Sequence, residues 1–377
     1  MLSRRHFLLA GAISAVMPRL SFASESQKNR QNQPLALIAI EEHANDSALA
    51  QASGKAILAN FPYLADWGKQ VDDLGELDLT RPRVIKAKDS MQKLLDQGQG
   101  RLQEMNRHGI TMQVLLHAAA PQFIQGESAV ELIAKSNDGL MLTALQYPSR
   151  FAGFASLPWQ DVTAAVKEAE RCAKLGFKGV LINGRPSGDF LDHPRYRPIL
   201  AKLNELNLPL FIHPGVPLPE VQQAYYGGFN NEVTARLSMF AWGWHNEAGI
   251  QVIRLILAGV LDEFPQLKLV SGHWGELVPY YLERLDDSIP QQATGLTRTI
   301  AQTYRDQVFV TNSGMTNLAH FNFVRETVGI DNMLFSVDYP YLSLNGARAW
   351  VENLPISAED KAKFAYQNAV KLLGLTI

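Results

Sequence analysis

From residue 35 onward, short apolar runs rich in β-branched residues alternate with longer stretches whose apolar residues recur every three or four positions. The first pattern is that of buried strands and the second that of amphipathic helices. Strands are expected at 35–43, 111–119, 151–158, 177–184, 208–215, 267–273, 308–314 and 333–340, and helices at 162–175, 196–207, 250–264 and 279–289, among others. Eight β-rich runs separated by helices predict an α/β protein of the (β/α)8 TIM-barrel type. A doubly wound open sheet would require a phosphate-binding glycine fingerprint or a reversal of strand order, and neither is legible.

Two connections, 44–100 after the first strand and 216–249 after the fifth, are long enough to be functional, and a barrel places both over its catalytic face. The second carries Tyr225, Tyr226, Phe229, Phe240, Trp242 and Trp244. These aromatics can wall a pocket for a planar ligand or bury a contact between subunits. His245 and Glu247 in the same segment can touch a substrate or anchor the loop. The expected organisation is one domain, 35–377, a barrel with long active-site loops.

The N-terminus has another character. Ser3-Arg4-Arg5-His6-Phe7-Leu8 leads into an apolar run at 7–17 and small residues at 21–23. This is the form of a twin-arginine export signal cleaved after Ala23, and its apolar run falls short of the ~20 residues needed to span a bilayer. Residues 1–23 are therefore expected to be a signal peptide and the polar stretch 24–34 a flexible leader. The mature protein is expected in the periplasm, with no stable membrane insertion.

Composition acts by exclusion. The 35 Lys and Arg nearly balance the 37 Asp and Glu, for a net charge of −2, which leaves no electrostatic footprint for nucleic acid. A small molecule is the expected partner. The single Cys172 excludes an intramolecular disulfide and a cysteine metal cluster. Any metal must be held by histidine and carboxylates. No dinucleotide fingerprint, P-loop or Gly-x-Ser-x-Gly elbow is present.

Barrel active sites lie at the C-terminal ends of strands, and four of the expected strands end on polar residues: Glu41-Glu42-His43, His213, Ser271-Gly272-His273 with Glu276 shortly after, and Asp338. Residues 41 and 43 of a strand project to the same side. One histidine or aspartate at a strand end is commonly a cap or loop anchor, but their joint occurrence makes an N/O donor set suited to Zn²⁺ or Mn²⁺. His117 is a pocket candidate with a structural role as its alternative. His108 before Gly109 suits a helix C-terminus, and His193 and His320 suit loop or surface positions.

The runs IAIEEH, FIHPG, LVSGHWGE, LFSVDYP and the terminal NAVKLL, with FAGFASLP, LGFKGVLING and FLDHPRYRPIL in order between them, resemble the amidohydrolase-2 branch of the amidohydrolase superfamily. Within that branch the chain is most similar to the aminocarboxymuconate-semialdehyde and γ-resorcylate decarboxylases, from residue 35 to its end. The resemblance implies that Glu41, His43, His213 and Asp338 bind one divalent metal, that His273 is the catalytic histidine, and that Glu276 orients it. It further implies substrate contacts from Asn183 and Arg284, the latter in some relatives across a subunit interface, and a homodimer or homotetramer. Arg284 is otherwise a helix-surface charge beside Asp286 and Asp287. Glu41-Glu42-His43 replaces the His-x-His of many members, and the added carboxylate favours Mn²⁺ without excluding Zn²⁺.

Two chemistries suit such a site. In non-oxidative decarboxylation of a hydroxylated aromatic or related unsaturated carboxylate, Asp338, acting with His273 and Glu276, delivers a proton to the carbon that loses CO₂. In hydrolysis of a lactone, ester or amide, Asp338 accepts a proton and His273 polarises the carbonyl oxygen. Export favours the hydrolase; the Glu-x-His variant and Arg284 favour the decarboxylase, which is the preferred expectation. An idle binding protein would be expected to have lost some of these residues, and all are present.

Overall fold

The computed structural model describes residues 34–67, 78–124 and 126–377; the expected signal peptide and residues 24–33 of the leader lie outside the described residues. Nine short strands alternate with helices: β1 Ile38–Ala44, β2 Met112–His117, β3 Phe151–Gly153, β4 Ala155–Ser156, β5 Val180–Asn183, β6 Leu210–His213, β7 Leu269–Ser271, β8 Val308–Thr311 and β9 Met333–Leu334. All pair in parallel, β1 to β3 in one ladder and β4 to β9 in another. The expected third strand is thus broken at Phe154. Its N–H still donates to Leu115 on β2, and Ala155 donates to Gly179 just before β5. The two pieces make one stave that changes pairing partner midway. Ile40 of β1 donates to Phe335 beyond β9 at 3.2 Å, which closes eight staves into the expected barrel.

Alternate residues of the staves meet inside: Ile38, Ile40, Met112, Val114, Leu116, Phe154, Leu181, Phe211 and Val270 form one buried cluster. Ala369, Leu373 and Leu375 of the C-terminal segment join it. Each stave contributes side chains of period two, and the inner set is apolar until the strand ends.

The helices form for local reasons. Val162–Leu175 begins where the Asp161 side chain accepts from Ala164 N–H, ends at left-handed Gly176, and buries Ala165, Glu168, Ala169 and Cys172 at spacings of three and four. The helix expected at 250–264 instead starts earlier, as Gly243–Leu257, and Val260–Glu263 follows as a separate turn. Gly259, at φ 69°, breaks it, because left-handed backbone ends an α-helix. The earlier start places Trp244, His245 and Glu247 on a helix rather than in a loop. His108 closes the helix Gln99–His108 with left-handed Gly109 after it, while His193 and His320 are exposed. Among the described residues no helix is long and apolar enough to cross a membrane.

Candidate active site and metal centre

The first two donors owe their position to an irregularity. In β1, three residue steps from Ala39 to Glu42 match two on β2, from Gln113 to Leu115. The bulge puts one extra residue between the pairings of Ala39 and Glu42, so that the consecutive Ile40 and Glu41 both face inward. Glu41, His43 and His213, from the ends of β1 and β6, are buried with ligand-capable atoms within 4.8 Å of one another.

Each donor is prepared by its surroundings. Glu41 Oε2 accepts from Thr311 Oγ1 at 2.7 Å, from Ser313 Oγ and from Ser336 Oγ at 3.3 Å, whereas Oε1 is buried with no hydrogen-bond partner. Burial pushes the carboxyl up from its ordinary value, with His273 opposing the shift. His213 Nδ1 donates to Pro214 O at 2.8 Å, leaving Nε2 with its lone pair for a ligand. Burial first and the neighbouring His43 second push the His213 imidazole well below its usual range, so it is neutral. His43 has both ring nitrogens buried without a hydrogen bond, as is Asp338 Oδ1; His43 Nε2 and Asp338 Oδ1 lie 3.0 Å apart. Buried polar atoms are seldom left unpaired. Glu41 Oε1, Asp338 Oδ1 and one ring nitrogen of His43, facing a ready second imidazole, fit a divalent cation.

His273 and Glu276 arrive on a different kind of backbone. After β7, His273, Trp274, Gly275, Glu276 and Leu277 all have positive φ, between 47° and 84°. Such backbone costs a non-glycine residue roughly 1–2 kcal/mol. The left-handed turn sets residues 273 and 276 on one side, where His273 Nδ1 meets Glu276 Oε1 at 2.8 Å and His273 Nε2 faces Asp338 Oδ2 at 3.9 Å. Ser313 Oγ receives the His273 N–H at 2.7 Å. Burial opposes the His273 imidazolium, but Glu276, with Glu41 and Asp338 behind it, outweighs burial and lifts the group to about 10. Burial would likewise raise Glu276, and His273 and His245 hold it down to about 2.

The six metal-site and proton-handling residues expected from the strand ends are thus brought together. Asn183, at the end of β5, spends its amide N–H groups on the backbone oxygens of His117 and Ala119 and keeps a buried, unpaired Oδ1. Arg284 lies exposed on the helix Val278–Ser288, with no contact to these residues within the chain. His117 bonds Ser156 Oγ on the neighbouring stave and is held down at about 4 by burial, a structural role. Of the loop aromatics, Trp244 packs edge-on to His213 at 6.1 Å, whereas Tyr225, Phe229 and Trp242 are exposed. Glu247 pairs with Arg185 at 2.9 Å and anchors its segment.

Several supports escaped the sequence reading. Arg101, fully buried, donates to His43 O at 2.6 Å and to Gln113, which in turn donates to Glu42. Glu42 also accepts from Val337 N–H at 2.8 Å, tying β1 to the residue before Asp338. Thr311, Ser313 and Ser336 hold Glu41. They too stand at strand ends, but a Ser or Thr hydroxyl there carries no signature that separates a ligand support from an ordinary loop residue.

Comparison with known proteins places this geometry. The family model described as amidohydrolase matches residues 79–375. The "Decarboxylase orsB" of Emericella nidulans is 32% identical over 349 residues, covering 89% of this chain and 96% of that protein. The γ-resorcylate decarboxylase of Polaromonas sp. is 33% identical over 305 residues, covering 75% and 89%. A solved structure of dihydroxybenzoic acid decarboxylase from Polaromonas sp., with bound manganese and the inhibitor 2-nitroresorcinol, superposes with a TM-score of 0.75 at 28% identity, covering 90% of this chain and 97% of that one.

Proposed function

This chain belongs to the amidohydrolase family, and from that premise we propose how its site works as a metal-dependent decarboxylase of an aromatic carboxylate. The observation that carries the reading is the set of buried, unpaired donor atoms on Glu41, His43 and Asp338 beside neutral His213. These four residues would hold one Mn²⁺ or Zn²⁺, with Mn²⁺ favoured by the two carboxylates. When bound there, the cation supplies Lewis acidity and a template for a carboxylate with an adjacent hydroxyl.

The remaining steps belong to the chain's own groups. Asn183 Oδ1, free to accept, orients a ring hydroxyl. His273 is held as imidazolium by Glu276 and keeps a proton beside Asp338. Asp338 passes a proton to the ring carbon bearing the carboxylate, forming a C–H bond. The C–C bond to CO₂ then breaks and its electron pair restores the aromatic ring. Asp338 is reprotonated through His273, and one proton is taken from solvent per turnover.

Hydrolysis of a lactone, ester or amide would use the same groups, but nothing in the site favours it. The deciding measurement is product analysis with the Mn²⁺-loaded protein and a panel of hydroxybenzoates and aryl lactones. CO₂ and the decarboxylated phenol are expected; hydrolysed lactone without CO₂ would overturn the reading. Export by the twin-arginine route belongs to the same proposal, with a mature N-terminus at Ser24 in a periplasmic fraction. So does a homodimer or homotetramer in which Arg284 serves a neighbouring site. Light scattering gives the assembly, and Arg284→Ala with unchanged KM would remove that role.

A further inference from the structure

His245 stands in the first turn of the helix Gly243–Leu257, outside the ligand and proton-handling set, yet its Nδ1 lies 2.7 Å from Glu276 Oε2. The other oxygen of the same carboxylate takes His273 Nδ1 at 2.8 Å, and the two imidazoles meet edge to face with centroids 4.4 Å apart. Glu276 is 2% exposed, so its oxygens depend on protein donors, and these two rings provide them. Behind His245 the contacts continue. Trp244 Nε1–H donates to His245 Nε2 at 3.1 Å, and Phe240 O lies 3.0 Å from that same nitrogen. With Nε2 accepting from Trp244, the imidazole carries its proton on Nδ1, directed at Glu276. Trp244 and Phe240 pack with Phe61, Tyr63, Leu64 and Trp67 from the connection after β1.

We propose that His245 is a positioning residue for the proton-handling pair, anchored by the aromatic cluster over the barrel mouth. By occupying Glu276 Oε2 it leaves Oε1 as the sole acceptor for His273 Nδ1, which fixes the His273 ring with Nε2 toward Asp338. Without that donor the carboxylate has one buried oxygen unsatisfied and is free to turn, and His273 loses its alignment while the substrate pocket is unchanged. The inference rests on the proton-carrying role of His273 proposed above.

The test uses the full chain loaded with Mn²⁺, with 2,6-dihydroxybenzoate as the probe. His245→Phe keeps the ring volume and removes the donor; His245→Asn returns an N–H near the position of Nδ1. H245F is expected to lower kcat roughly ten- to hundredfold with KM held within about twofold, and H245N to recover to within about threefold of the parent. The ¹⁵N signal of His273 Nδ1 should shift in H245F and return in H245N, a readout that does not depend on the probe being a good substrate. Unchanged kcat in H245F, equal loss in both variants, or a raised KM with parental kcat would each overturn the proposal. If H245F fails to fold, a tenfold loss in well-folded H245N does so. His273→Asn separates the two claims: full activity in H273N defeats the role of His273, whereas an inactive H273N beside an unimpaired H245F defeats this inference alone.

Discussion

Glu41 and His43 leave β1 from extended backbone, braced from outside the barrel by Arg101, Gln113 and Glu42. His273 and Glu276 stand instead on five consecutive residues of left-handed backbone. The first region holds its donors by burial and by a network of fixed polar groups. The second holds them by hydrogen bonds that must outweigh local strain. The difference follows from their tasks: a metal ligand needs a fixed direction, which a strand supplies, while a proton carrier must bring its partner carboxylate along within three residues. Strained backbone of this kind persists only where its surroundings over-determine it, and Ser313, Tyr304 and Glu41 crowd this turn closely enough to do so.

The comparison can be broken most completely where the two regions meet. Asp338 touches both, and its left-handed backbone, φ 67°, suits asparagine equally well. Asp338→Asn is expected to lower kcat roughly a thousandfold or more, with a melting temperature close to that of the parent. Next is Gly272, on the seam. A Cβ there would lie 2.9 Å from Glu41 Oε1, 3.2 Å from Ser313 Oγ and 3.3 Å from Glu276 Oε1. Gly272→Ala should weaken Mn²⁺ binding about ten- to hundredfold, measured by metal retained after dialysis against a graded chelator.

Glu276→Gln acts on the strained turn alone. It removes the negative charge that lifts His273 to about 10, so the alkaline limb of the pH–rate profile should move down by about one unit or more. The stability consequence has a definite sign. A histidine raised from 6.5 to about 10 stabilises the fold fully below pH 6.5, and that contribution fades as pH climbs through the folded value. E276Q should therefore flatten the fall of stability between those limits, read by denaturant titration at several pH values. The smallest effect concerns Leu277, 40% exposed at φ 68°. Leu277→Gly relieves strain at some entropic cost, and a rise in melting temperature of about 1–2 °C would confirm that the turn is strained.

The sequence disclosed the barrel because strand and helix periods alternate cleanly, and it disclosed the donors because they are polar residues ending apolar runs. It did not disclose Arg101 or Gly272, whose roles arise only when segments far apart in the chain are folded together. The place of His245 was hidden by a helix that begins seven residues before its expected start, where Trp242 and Trp244 obscure the apolar period. Arg284 reads as a surface charge on its helix and is exposed within the chain.

The bulge in β1 makes the phase of a strand part of the chemistry. Ile38 and Ile40 set a phase that, continued regularly, would turn Glu42 and Ala44 inward and send Glu41 and His43 out against the helices. Unbroken alternation over the same residues would give the interior one carboxylate and a methyl group in place of two donors, and the extra residue of the bulge is what lets Ile40 fill the core while Glu41 and His43 still face the site. The metal set of this protein is thus written in the phase of the strand as much as in the identity of its residues.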